Sequence, residues 1–268
     1  MDALQPQLDE FVADLARLDS LLALLSAVRE LAVAAPTMTA SDPFHDAAVA
    51  LRDQVRAAGA DLPVLGGTLL LYLTGRFEFF AKSQLETLCE ALADKCQTFD
   101  QLPETLRTSL VSMTADHISR PGRYGLDPIQ VRGLVTTLAT NIQSGSGVGI
   151  INAACLSVTD RNMTAEMLAD LFKRADVKYL WRELAKQARI KVFYGHAVDA
   201  DVERAAKAEL DSLMNLRNSI AHPSTATSFP DLANVRRAVT FLVQLAHTIT
   251  DVCRIEIAAF HPAVKSQP

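Results

Sequence analysis

One short segment gathers residues that can do chemistry together: Leu216, Arg217, Asn218, Ser219, Ile220, Ala221, His222 and Pro223. Arg217 is a permanent cation, and a histidine such as His222 exchanges protons near neutral pH. Arg217 follows Leu213 by four residues and precedes Ile220 by three. On an unbroken helix it therefore shares the side of Leu210 and Leu213. A cation there is costly unless it meets a partner, a ligand or a helix end. Asn218 and His222 are four apart and share one face. Pro223 biases His222 away from helical backbone, which places it at or just past the helix C-terminus. The trio suits phosphate-ester chemistry. Histidine can take a proton from an attacking hydroxyl or give one to a leaving oxygen, and arginine can stabilise charge building on a phosphoryl group. RNA brings its own nucleophile, the 2′-hydroxyl, so this chemistry requires no metal-bound water. The spacing leaves a plainer alternative open, in which Arg217 and Asn218 cap a helix and His222 is an exposed loop residue.

Such chemistry needs a surface that attracts phosphates. The chain is acidic overall, with a net charge of −5 and a pI near 5.7, which excludes a globally basic nucleic-acid binder. The charge is uneven, however. Leu171 to Gly195 holds seven basic residues against Asp176 and Glu183. Arg174, Lys178, Arg182, Lys186 and Arg189 step by four, four, four and three, the spacing of one helix face and a candidate RNA-binding stripe. Tyr179, Trp181 and Phe193 lie nearby as candidate base-stacking rings, while a solvated face with a buried Trp181 is the competing reading.

The elements that must position these residues read as helices. The 11 glycines and 11 prolines make about 8% of the chain, against ~12% in average usage, which argues for long helices over a loop-rich or all-β protein. Apolar residues recur at threes and fours over residues 3–34, as one or two helices. The same pattern marks Phe44–Ala60, ended by Gly59 and Pro63, and Gly67–Lys95. Further helices are expected over Glu104–Ile118, Pro128–Ile142, Thr164 to about Lys191 (one long or two short) and Asp201–Ala221. A final helix carries the stripe Leu232, Val235, Val239, Leu242, Ala246, Ile249 and Cys253, with Ser228 and Asp231 as a candidate capping box. Loops are expected at Pro36–Pro43, Ser144–Gly149 and Pro223–Pro230. The fold class is all-α, a helical bundle.

Other chemistries find little support. There is no His-Glu-x-x-His, no nucleophile elbow and no paired Cys-x-x-Cys, and the glycines at 145–149 lack the Lys-Ser/Thr of a phosphate loop. Neither a metal nor a cofactor is expected. The four cysteines, Cys89, Cys96, Cys155 and Cys253, read as free thiols of a reducing compartment. Acidic residues at 2, 9, 10 and 14 argue against a secretory start. The most apolar stretch, Leu62–Gly75, is shorter than the ~20 residues of a membrane helix. A cytoplasmic protein without a membrane partner is the expectation.

Leu213 to His222, with its Arg217-Asn218-x-x-x-His222 core, resembles the active-site signature of the HEPN superfamily. Leu69 to Lys82, an apolar run containing Arg76 and Glu78, is similar to the early helix of the RiboL-PSP-HEPN branch, as are the turn at Leu102–Glu104 and the long helix after the motif. The likeness covers about residues 62–258. It implies an all-α domain on a four-helix core with additional helices. In that frame residues 1–60 form an N-terminal helical extension, and 61–260 form the HEPN-like domain with an inserted helical segment around 98–195. The resemblance also implies a metal-independent endoribonuclease that leaves cyclic-phosphate and 5′-hydroxyl ends. It further implies a homodimer whose two Arg-His segments meet, and a role as a toxin or phage-defence effector, which an inhibitory partner protein could restrain. Carried over by position, Arg217 and His222 are the catalytic pair, Asn218 is the supporting polar residue and Glu78 is a further member, paired with Arg217 or Arg76 or simply solvated. The branch often has glycine after the histidine, where this chain has Pro223, which stiffens the loop. A non-catalytic helical module for dimerisation or protein binding, or an RNA-binding regulator, is the alternative.

Overall fold

A computed structural model describes residues 2–33, 43–59, 62–143, 148–224 and 227–262. Among these there are eleven α-helices and no strand. In chain order they are α1 (Gln5–Val33), α2 (Pro43–Ala57), α3 (Leu62–Ala93), α4 (Glu104–Ser119), α5 (Pro128–Gln143), α6 (Ala153–Leu156), α7 (Ala165–Lys173), α8 (Leu180–Lys186), α9 (Ala188–Tyr194), α10 (Asp199–Ala221) and α11 (Leu232–Ala259). The all-helical expectation holds. The loops expected at Pro36–Pro43 and Ser144–Gly149 fall largely outside the described residues.

The helix α3 is the hub, because α1, α10 and α11 all pack against it. Its apolar residues recur at helical spacing on more than one side, so Leu70, Leu73, Phe77, Phe80, Leu85 and Leu88 are all buried. The apolar stripe of α1 (Leu8, Phe11, Leu15, Leu18, Leu22) enters the same core, and Phe11 stacks on Phe80 with ring centroids 4.9 Å apart. Arg76 of α3 reaches back to α1, 2.6 Å from Asp14 Oδ2 and 2.7 Å from Glu10 Oε1. Residues 5–33 thus share the packing of the helices that follow residue 60. The stripe expected on the last helix lies buried along α11, facing α1 and α3.

Three local expectations are corrected. The helix α3 starts at Leu62 rather than Gly67, because Pro63 falls in the first turn, where a missing N–H costs nothing. The cap of α11 is Asp231, whose carboxylate accepts from the Asn234 N–H at 2.7 Å, and Ser228 lies upstream of it. The segment 164–191 forms three short helices. It breaks after Lys173, where Asp176 takes a left-handed φ of 70°, and again at the extended Gln187. Burial of Leu168, Leu171 and Phe172 before the first break, and of Val177, Leu180, Trp181 and Leu184 after it, secures that turn.

Candidate functional site

The site grows from the last turns of α10. Leu210, Leu213, Met214 and Ile220 bury one side of this helix against its neighbours, so the residues between them are presented at its edge. The helix ends at Ala221. His222 is its C-cap, at φ −123° and ψ 70°, and its N–H donates to the Asn218 carbonyl at 3.0 Å. Pro223 then prevents any continuation. The His222 side chain is exposed, while Arg217 and Asn218 are half-buried. The following turn folds back on α3. Phe229 and Pro230 seat against Gly66 and Gly67, so closely that a Cβ at Gly66 would stand 2.8 Å from the Pro230 carbonyl oxygen. The two glycines thereby set where the chain leaves the histidine.

Arg217 Nη1 donates to Asn218 Oδ1 at 3.3 Å. Among the described residues no carboxylate lies within ion-pair distance of Arg217, whereas Arg76, Arg237 and Arg254 are each held by at least one. Asn218 Oδ1 accepts a second bond, from the side-chain amide of Asn162. Asn162 belongs to the loop 157–164, which is tied down along its length. Arg174 Nη1 donates to the carbonyls of Leu156 and Val158, the latter at 2.8 Å. Thr159 Oγ1 donates to Glu78 Oε1 at 3.2 Å, and Arg123 Nη2 lies 2.7 Å from Asp160 Oδ1. At the loop's end, the Ala165 N–H donates to Asp211 of α10 at 2.8 Å. Burial pulls the Arg174 guanidinium below its ordinary range, with Asp170 and Asp160 opposing.

The sequence-derived residues are thus sorted by their surroundings. Arg217, Asn218 and His222 come together on one helix end. Glu78 binds neither Arg217 nor Arg76. It pairs with Lys82 one turn along α3, at 2.6 Å, and meets the site only through Thr159 and the loop. The five basic residues do not form one helix face, because the helix they presuppose is broken twice. Arg174 turns inward onto backbone carbonyls. Lys178 lies 3.4 Å from Asp176 Oδ1, Lys186 pairs with Glu183, Arg189 contacts Gln244, and Arg182 is exposed. Trp181 is buried, with Nε1 donating to the Ala165 carbonyl, and Phe193 packs near Tyr194 and Phe241. Only Tyr179 of the three rings is exposed. Sequence reasoning missed Asn162 and Thr159, which lie 56 and 81 residues from their partners and carry no local pattern.

Beside the Arg217 segment, α10 and α11 leave an open groove of about 630 Å³, bordered by Leu213, Leu216, Phe229, Phe241, Glu209 and Arg237. Among the described residues no group of three or more His, Cys, Asp or Glu side chains is arranged to hold a metal ion. No single helix among them is long and apolar enough to cross a membrane. All four cysteines are free and buried.

A family model described as RiboL-PSP-HEPN matches residues 47–254. The chain belongs to this family. RiboL-PSP-HEPN is a HEPN-type family, and membership connects the chain with RNA-related and nuclease roles. The matched range opens inside α2 and takes in Glu78, Asn162, Arg174 and the whole Arg217–His222 segment, while α1 lies outside it. No curated protein and no solved structure matches the chain.

Proposed function

We propose that this RiboL-PSP-HEPN protein is a metal-independent endoribonuclease. The observation that carries the reading is the pairing of a half-buried Arg217, free of any carboxylate among the described residues, with an exposed histidine at the end of the same helix. An arginine placed this way has its charge available to an anionic ligand. In the proposed reaction the 2′-hydroxyl attacks the adjacent phosphorus and loses its proton to a histidine. The bond from phosphorus to the 5′ oxygen breaks, and that oxygen is protonated as it leaves. The products are a 2′,3′-cyclic phosphate and a 5′-hydroxyl. Arg217 stabilises the extra negative charge on the phosphoryl oxygens, and Asn218 holds Arg217 in place.

One histidine must act as base and another group as acid. A homodimer that joins two Arg217–His222 segments supplies one histidine for each task, and the apolar border of the α10–α11 groove offers area for that contact. Exposed cations at Lys178, Arg182, Lys186 and Arg189 are the proposed contacts for flanking RNA. Their separation onto α8, α9 and the preceding turn makes them a scattered patch rather than a stripe. Arg174 leaves that set for a structural role. A toxin or phage-defence role, restrained by an inhibitory partner, belongs to the same reading.

The deciding experiment is RNA cleavage in EDTA by the wild type, Arg217→Ala and His222→Ala. Each variant is expected to lose at least a hundredfold in rate, in keeping with the ~10²–10⁴-fold contribution of acid–base groups and of charge-stabilising donors. Undiminished cleavage by both variants would refute the assignment, and abolition of wild-type cleavage by EDTA would refute the metal-free mechanism.

A further inference from the structure

We propose that Asn162 is a positioning residue of the catalytic site, acting on Arg217 through Asn218. The inference rests on the ribonuclease reading above and adds to it a residue from a different part of the chain.

Asn218 is the only side chain among the described residues to which Arg217 is bonded, and the bonded atom is Oδ1. A primary amide can present either its oxygen or its nitrogen in a given direction. If the Asn218 amide turned over, its NH₂ would face the guanidinium, and donor would meet donor. The Asn162 amide opposes this by donating to the same Oδ1, so the orientation with oxygen toward Arg217 is the one that satisfies both donors. The neighbouring donor has the same effect on the Asn218 rotamer as a wedge.

The loop that carries Asn162 is held from several directions. The loop 157–164 is anchored by Arg174 beneath it, by Thr159 on Glu78 of α3, and by the Ala165 N–H on Asp211 of α10. Glu78 is therefore connected to the site through the loop rather than by direct contact with Arg217. A site whose donors are fixed before the substrate arrives loses less in reorganisation during reaction. Removing Asn162 should lower turnover and leave substrate binding nearly untouched.

The test is a double-mutant cycle on the full-length protein, with kcat and KM for cleavage of a defined RNA in EDTA. Asn162→Ala is expected to lower kcat about tenfold with KM within about twofold. Asn162→Asp, nearly isosteric but placing an oxygen against Oδ1, is expected to lower kcat at least as much while keeping the thermal midpoint of the wild type. The Asn162→Ala/Asn218→Ala double variant should be no slower than Asn218→Ala alone, because a residue that acts through Asn218 has nothing left to act on. Wild-type kcat in both Asn162 variants, or a double variant whose losses multiply, would overturn the proposal while inactive Arg217→Ala and His222→Ala variants keep the ribonuclease reading intact. Full activity in those two variants would overturn both.

Discussion

Two arginines show how the same side chain serves two purposes. Arg76 stands 2.6 Å from Asp14, a carboxylate with only 6% of its surface exposed, and joins α1 to α3. Removing it strands a buried anion that Arg17, itself mostly in solvent, compensates only from outside. Arg217 holds no carboxylate among the described residues, and its one side-chain partner is the neutral amide of Asn218, which keeps its bond from Asn162 when the arginine is gone. Arg76→Ala is therefore expected to cost about 1–3 kcal/mol. Arg217→Ala should change stability by less than about 0.5–1 kcal/mol, the range of a surface substitution or a single neutral hydrogen bond, while abolishing cleavage. Urea unfolding of the two variants checks this. An Arg217→Ala protein less stable than Arg76→Ala would mean that the charge of Arg217 is structural after all.

Between helices, the geometry of the site depends on how closely the turn after His222 approaches α3. Gly66 and Gly75 lie on the same helix with opposite surroundings. A Cβ at Gly66 would meet the Pro230 carbonyl oxygen, a backbone atom that cannot swing aside, at 2.8 Å, whereas a Cβ at Gly75 would meet nothing within 4 Å. Gly66→Ala is expected to destabilise by about 1–3 kcal/mol through overpacking, and Gly75→Ala to stabilise by up to ~1 kcal/mol through helix propensity. Opposite shifts in thermal midpoint would establish the contrast, and equal shifts would deny the close approach. The elements themselves were largely legible, because α3, α10 and α11 announce themselves by apolar period and Pro223 by its stop. The breaks at Asp176 and Gln187 were not legible. They depend on where Val177, Trp181 and Leu184 find a core, which is a tertiary matter that local spacing does not encode. The same limit applies to the site. The residues of one helix end were readable from their spacing, whereas Asn162 becomes visible only when the chain has folded a distant loop against that end.

Across the whole molecule, the beginning of α1 meets the later turns of α11. Arg254 reaches Asp2 and Gln5 from it, and about two turns earlier lies His247. Burial pushes the His247 imidazole below its ordinary value of about 6.5. Arg189 of α9 and Arg254 push it the same way, while Asp251 and Asp9 of α1 oppose them. The direction fixes the sign of its linkage. Below pH 6.5 the unfolded chain takes up a proton at this position more readily than the folded one, so the stability His247 contributes is present above pH 6.5. It is lost as the pH falls through that value toward the lower folded pKa. A His247→Gln variant has no proton to take up there. Thermal midpoints measured at pH 7.5 and pH 5.5 should therefore show the wild type losing more on acidification than His247→Gln does. Equal losses would mean that α1, α9 and α11 impose no charge preference where they meet, and that acid weakens the bundle elsewhere.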